Sequence, residues 1–134
     1  MTNCPICGFN LIKDTRERTL NYKGHILSIT KQSGLFCDKC NEAFYSHDDL
    51  KKTALEVADF KRNIDGLLVS KELKKIRARY KINQKVAAEI FGGGVNAFSK
   101  YERGEAIQSK PLDLLFRLLD SNKISLSDIV QSSN

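Results

Sequence analysis

At 134 residues, 41% of them hydrophobic, the chain has enough material for one domain or two small ones with folded cores. No stretch is long and apolar enough to span a bilayer, and Met1-Thr-Asn-Cys4 carries neither a basic nor an apolar targeting segment, so no membrane association and a cytoplasmic location are expected. The formal charge of +6 is uneven, +2 over residues 1–64 and +4 over residues 65–134. Four thiolates on one dication would bring the first half close to neutral. The basic character then belongs to the second half, which suits a polyanion-binding module there and also fits a generic basic surface.

The first elements in the chain are two cysteine pairs, Cys4-Pro-Ile-Cys7 and Cys37-Asp-Lys-Cys40, which hold all four cysteines. In a reducing compartment such pairs are metal ligands rather than disulfides. Each pair puts two thiolates on one tight turn, and two pairs complete a closed tetrahedral site. A closed site has no open position, so it builds structure and does no chemistry. One structural zinc ion per chain, held by Cys4, Cys7, Cys37 and Cys40, is expected. The alternatives are redox thiols or iron, since Cys4-x-x-Cys7-Gly8 resembles a rubredoxin knuckle. The second pair is followed by Asn41 where rubredoxins have glycine. His25 and His47 are expected to be bystanders.

Between the pairs, Arg18-Thr-Leu-Asn-Tyr22 and His25-Ile-Leu-Ser-Ile-Thr30 read as partner strands around a Lys23-Gly24 turn. Gly34 then turns the chain into Leu35-Phe36-Cys37. A sheet this small needs the metal as a staple. A helix is expected from about Ser46, where Ser46 and Asp49 resemble a capping box, through Leu50, Ala54, Val57, Ala58 and Phe60 to a stop at Asn63-Ile-Asp-Gly66. Ile64, Leu67, Leu68 and Val69 are too apolar for a free linker.

From Ser70 the pattern is helical throughout. Leu73, Ile76 and Tyr80 line a first helix. Asn83 caps a second, Gln84 to Phe91. Gly92-Gly93-Gly94 turns the chain into a third, Val95 to Glu102, with Val95 and Phe98 inward. Pro111 opens a fourth, and Ser125 to Val130 form a fifth, followed by a Ser/Asn tail at 131–134 expected to fray. The fold class is therefore α+β: a small Cys₄ zinc-ribbon-like β domain with one helix over residues 1–64, a linker at 65–69, and an all-α five-helix domain over 70–134. No nucleophile–base pair, paired-carboxylate motif or open metal site points to an enzyme. The triple glycine lacks the Lys-Ser/Thr of a phosphate loop.

Five helices with a tight turn between the second and third describe a helix-turn-helix domain. With Val95 and Phe98 inward, Asn96, Ser99, Lys100 and Arg103 remain outside, and Asn and Lys are the residue types that pair with adenine and guanine edges. The lysines and arginines before them, Lys85 included, suit phosphate contacts. Asn83-Gln84-Lys85-Val86-Ala87 and Phe98-Ser99-Lys100-Tyr101-Glu102-Arg103-Gly104 resemble the lambda-repressor/Cro-like (Xre-type) family. That resemblance implies a structural ion pair between Arg77 and Glu102 and a phosphate contact at Gln84.

The segment Ile90 to Gly104, together with Cys-Pro-Ile-Cys-Gly8 and Gly34-Leu-Phe-Cys-x-x-Cys40, resembles the MqsA antitoxins over nearly the whole length. This resemblance implies a homodimeric DNA-binding antitoxin. Its zinc domain would silence a ribonuclease toxin of the MqsR kind, and its helical domain would dimerise and repress its own operon at a palindromic operator. It also implies Asn96 and the residue four further on as base readers. The family has Arg at that second position and this chain has Lys100, a point charge in place of a bidentate fork. A stand-alone zinc-ribbon transcriptional regulator without a toxin is the alternative.

Overall fold

The computed structural model describes residues 2–132, so the tail expected to fray lies partly outside the described residues. The chain divides into two compact units, Met1–Ala54 and Leu55–Asn134. The architecture is α+β.

In the first unit, β1 (Ile12–Tyr22) and β2 (His25–Phe36) form a long antiparallel hairpin, and β3 (Ala43–Phe44) pairs with the end of β2. Lys23 and Gly24 turn the hairpin, both at positive φ (50° and 84°) as a two-residue turn with the twist of the strands requires. A register shift between Arg16 and Arg18 bends β1. β1 starts six residues earlier than the alternation from Arg18 implied. Lys13, Asp14, Thr15 and Glu17 are exposed, so this part of the strand buries no face and shows no hydrophobic period.

Among the described residues of this unit the buried side chains are few: Cys4, Ile29, Phe36 and Cys37, with Gln32 and Thr53 as polar members. Gln32, fully enclosed, accepts from Arg18 and from Thr53 Oγ1 (2.7 Å) and donates to the Ser33 and Asp49 carbonyls. A glutamine at the centre of a sheet is tolerated because its amide is fully bonded. Gly34 leaves room for the following strand, since a Cβ there would stand 2.9 Å from the Tyr45 ring. α1 (His47–Lys51) opens with a complete capping box, Asp49 N–H to Ser46 Oγ at 3.1 Å and Ser46 N–H to Asp49 Oδ2 at 2.9 Å.

α1 does not continue to residue 62. A second helix, α2 (Ala54–Asp65), begins after Thr53, and from Leu55 onward it belongs to the second unit. Residues 55–64, read from sequence as the end of the zinc domain, thus lie with α3 (Ser70–Arg79), α4 (Gln84–Phe91), α5 (Ala97–Arg103), α6 (Lys110–Asp120) and α7 (Leu126–Ser132). The expected linker at 65–69 is not free: Leu68 is in the core, its N–H donates to Asp113 Oδ1 at 2.8 Å, and Leu67 and Val69 are half-buried.

The helical core joins Leu68, Leu73, Ile76, Ala87, Ala88, Ala97, Phe98, Leu112, Phe116 and Leu119. Phe98 stacks against Phe91, Tyr101 and Phe116 at centroid distances of 5.9, 5.3 and 5.7 Å. Asn83 caps α4 through Val86 N–H (2.8 Å), Ser109 caps α6 through Leu112 N–H (3.3 Å), and Gly104 stops α5 in the left-handed region. Val95, expected inward, is 68% exposed. The helix starts two residues later than its apolar period suggested, so Ala97, not Val95, occupies the buried position beside Phe98.

Candidate functional sites

The cysteine knuckles are two copies of one local design. In the first, Cys4 N–H donates to Phe9 O (2.7 Å) and Gly8 N–H to Cys4 O (2.8 Å); in the second, Cys37 N–H donates to Glu42 O and Asn41 N–H to Cys37 O, both at 2.9 Å. Gly8 and Asn41 occupy the same position at positive φ, 79° and 62°. Asn is among the few residues that tolerate that region, so Asn41 makes the turn a glycine would make, and it does not separate zinc from iron.

The four Sγ atoms lie within 4.8 Å of one another, with Cys4–Cys40 at 3.7 Å and Cys7–Cys37 at 3.4 Å. A tetrahedron with metal–sulfur bonds of about 2.3 Å has edges of about 3.8 Å, so the set fits a metal of that size. Electrostatics point the same way. The Cys40 amide, with the Cys7 and Cys40 thiols, brings Cys37 down to about 7. The Glu42 amide favours the thiolate of Cys40, yet burial and the three neighbouring sulfurs push it up to about 12. Cys37 is thus the thiol that ionises most readily, while Cys7 and Cys40 are held up beside it, and a bound cation would favour the thiolate form of the set. His25 and His47 lie outside this cluster.

The second site is the outer face of α5. Asn96 is its N-cap residue but makes no capping hydrogen bond and is exposed, so its amide is not committed to the helix. Lys100, one turn on, is exposed, and Ser99 is half-buried. Arg103 is exposed and its guanidinium is engaged by Glu105. Lys85 is exposed in the first turn of α4. Gln84, beside it, is half-buried and donates to Glu102 Oε1 at 3.2 Å.

Glu102 holds the helices together. Its carboxylate, 3% exposed, accepts both arms of the Arg77 guanidinium at 2.8 Å as well as the Gln84 amide. Arg77 also donates to Ile82 O at 3.0 Å. One buried carboxylate thus pins α3, α4 and α5 to one another, with every charge paired.

Arg62 of α2 grips the same, C-terminal end of α5 and was not singled out from sequence. It is fully buried, donating Nε to Gln108 Oε1 (2.9 Å), Nη1 to Asp59 Oδ1 (2.9 Å) and Nη2 to the carbonyls of Tyr101 (2.8 Å) and Ala106 (3.2 Å). Asp59 also receives Ser70 N–H and Oγ–H, both at 2.9 Å, and Gln108 donates to Leu68 O and Asp113. A cation at a helix C-terminus is favourable, and here it also satisfies the last carbonyls. No helix among the described residues is long and apolar enough to cross a membrane.

Comparison with known proteins agrees over nearly the full length. The family model described as the antitoxin component of a bacterial toxin–antitoxin system, MqsA, matches residues 2–129. Antitoxin MqsA of Escherichia coli (strain K12) is 30% identical over 128 residues, covering 94% of this chain and 98% of that protein. The solved N-terminal domain of the E. coli protein MqsA superposes with a TM-score of 0.43 at 17% identity, over 48% of this chain and 97% of that domain. The chain belongs to the MqsA family of antitoxin components of bacterial toxin–antitoxin systems.

Proposed function

We propose that this antitoxin binds one structural Zn²⁺ per chain at Cys4, Cys7, Cys37 and Cys40, neutralises an MqsR-like ribonuclease through the first unit, and as a homodimer represses its own operon through the second. The cytoplasm is where both partners meet it. Zinc is preferred because four thiolates in a closed tetrahedral set suit an ion with no redox chemistry and no open coordination position.

The observation that carries the DNA reading is the uncommitted Asn96 amide, one turn from exposed Lys100 on a helix clamped by Glu102 and Arg62. An Asn amide pairs with adenine N6 and N7, and a Lys ammonium donates to guanine O6 and N7. A rigid helix presents both at a defined spacing. Ser99 and Arg103 would extend that face, and Gln84 and Lys85 at the start of α4 would meet phosphate. Leu114 and Leu118, one turn apart and exposed on α6, support the pairing of two copies that a palindromic operator requires.

For the toxin, support comes from the hairpin. β3 covers only the end of β2, and Ile26 near its tip is 69% exposed. An open strand edge flanked by apolar side chains suits a partner that adds its own sheet.

The test uses duplex DNA from upstream of the gene. The zinc-loaded chain should bind half-sites about one helical turn, or a multiple of it, apart. Asn96→Ala should weaken that duplex by about 1–3 kcal/mol and leave binding to random DNA unchanged, while Lys85→Ala should weaken both alike. Equal loss on both duplexes for Asn96→Ala would refute base reading. In an RNA-cleavage assay with the ribonuclease encoded beside it, residues 1–54 with zinc should protect the RNA and residues 55–134 should not.

A further inference from the structure

Val95 is the most exposed large apolar side chain among the described residues of the helical unit. Its position is tightly specified. Ala97 N–H donates to Gly94 O at 3.1 Å, closing a turn over Val95 and Asn96, and Asn96 at φ −103°, ψ 6° has the geometry of the third residue of a type I turn. That turn leads directly into α5. Val95 is therefore the residue immediately before the N-cap Asn96, outside the helical period of α5 and exposed at the end of the helix from which Lys100 also projects.

The chain maintains this arrangement with residues that have few substitutes. Gly92, Gly93 and Gly94 all lie at positive φ (84°, 96° and 94°), and a Cβ on Gly93 would stand 3.1 Å from the Ala97 methyl and 3.3 Å from Tyr101 Oη. Val95 contributes nothing to the core, because Ala97 and Phe98 take the buried side of the first turn. A solitary surface valine is ordinary; one set beside an uncommitted asparagine amide, at the end of the helix proposed to enter the groove, is placed to touch a base.

We propose that Val95 is a specificity-determining residue that reads the C5-methyl group of a thymine, beside the base pair read by Asn96. The inference rests on the DNA reading above. In the major groove an A·T pair offers adenine N7 and N6, thymine O4 and one apolar feature, the thymine methyl. Asn96 takes the polar pair of atoms. Val95 has no donor or acceptor, so neither a phosphate nor a polar base edge is a partner for it. Contact with the methyl removes apolar surface from water on both sides.

The experiment selects a preferred duplex from a random pool with the intact zinc-loaded chain. Each thymidine in turn is then replaced by deoxyuridine, which deletes the methyl and nothing else. At one thymine per half-site, next to the adenine whose identity Asn96→Ala ignores, the replacement should weaken binding about fourfold. Val95→Ala should bind the parent duplex about that much more weakly and be indifferent to the same replacement. Its melting temperature should not change, because the side chain supports no packing. If every replacement leaves the parent chain unaffected, or if Val95→Ala responds to all of them as the parent does, this inference is overturned while a sequence-specific loss in Asn96→Ala upholds base reading. If no sequence is enriched, or Asn96→Ala weakens selected and random duplexes equally, the DNA reading fails and the inference fails with it.

Discussion

The two units solve the same problem with opposite means. The helical unit buries a continuous apolar core, with Phe98 and Phe116 almost fully enclosed and the helices pinned by Glu102 and Arg62. The hairpin unit buries Ile29 and Phe36, encloses a glutamine at its centre, and leaves Ile6, Phe9, Ile12 and Ile26 exposed. One unit is stable through burial. The other has little to bury and instead gathers four sulfurs in a set that fits a metal ion, with the Cys40 thiol pushed up by burial and its sulfur neighbours. A unit held by a metal can keep its surface apolar for a partner. A unit held by packing can present a polar, well-ordered helix to a polyanion.

The largest effect that would break this comparison is at the metal. Structural zinc sites contribute about 10–16 kcal/mol in small zinc-dependent folds. Cys37→Ser should therefore abolish the sheet signal of the hairpin unit and leave the helical circular-dichroism signal of the other in place. A variant that keeps both would show that the hairpin has an adequate core of its own.

Next in size is the helical clamp. Glu102→Ala strands a partly buried Arg77 and releases Gln84, and should cost about 3–5 kcal/mol, read as an earlier urea midpoint for the helical transition. The hairpin should still take up its metal with unchanged affinity.

The smallest effect is a pH dependence confined to the helical unit. Burial alone would raise the Asp113 carboxyl, but Arg117, the Leu68 amide and Gln108 outweigh it and hold it below its ordinary 3.8. A depressed carboxyl adds stability that is complete above the unfolded value and lost as pH falls through the folded one. Stability of the helical unit should thus decline below about pH 4, and Asp113→Asn should flatten that decline.

Much of this was legible where the signal is local. The cysteine spacing, the Ser46–Asp49 box, the Asn83 cap and Pro111 in the first turn of α6 are short-range patterns with one physical meaning each. What was not legible depends on distant partners. Arg62 reads as a solvent residue on an amphipathic helix, and only Gln108 and the Tyr101 carbonyl, far along the chain, give it a buried role. The break at Thr53 has no glycine or proline to announce it; it follows from the Thr53 hydroxyl bonding Gln32. Val95 falls in the apolar period of α5 but precedes the helix, and so points outward.

The division at residue 54 is tested most directly by amide hydrogen exchange on the full chain with and without a zinc chelator. Chelation should strip protection from β1 and β2. The amides of α2 should stay as protected as those of α5, because Arg62 ties the two together. Loss of protection in α2 together with the hairpin, or retention in both after the metal is gone, would contradict the account.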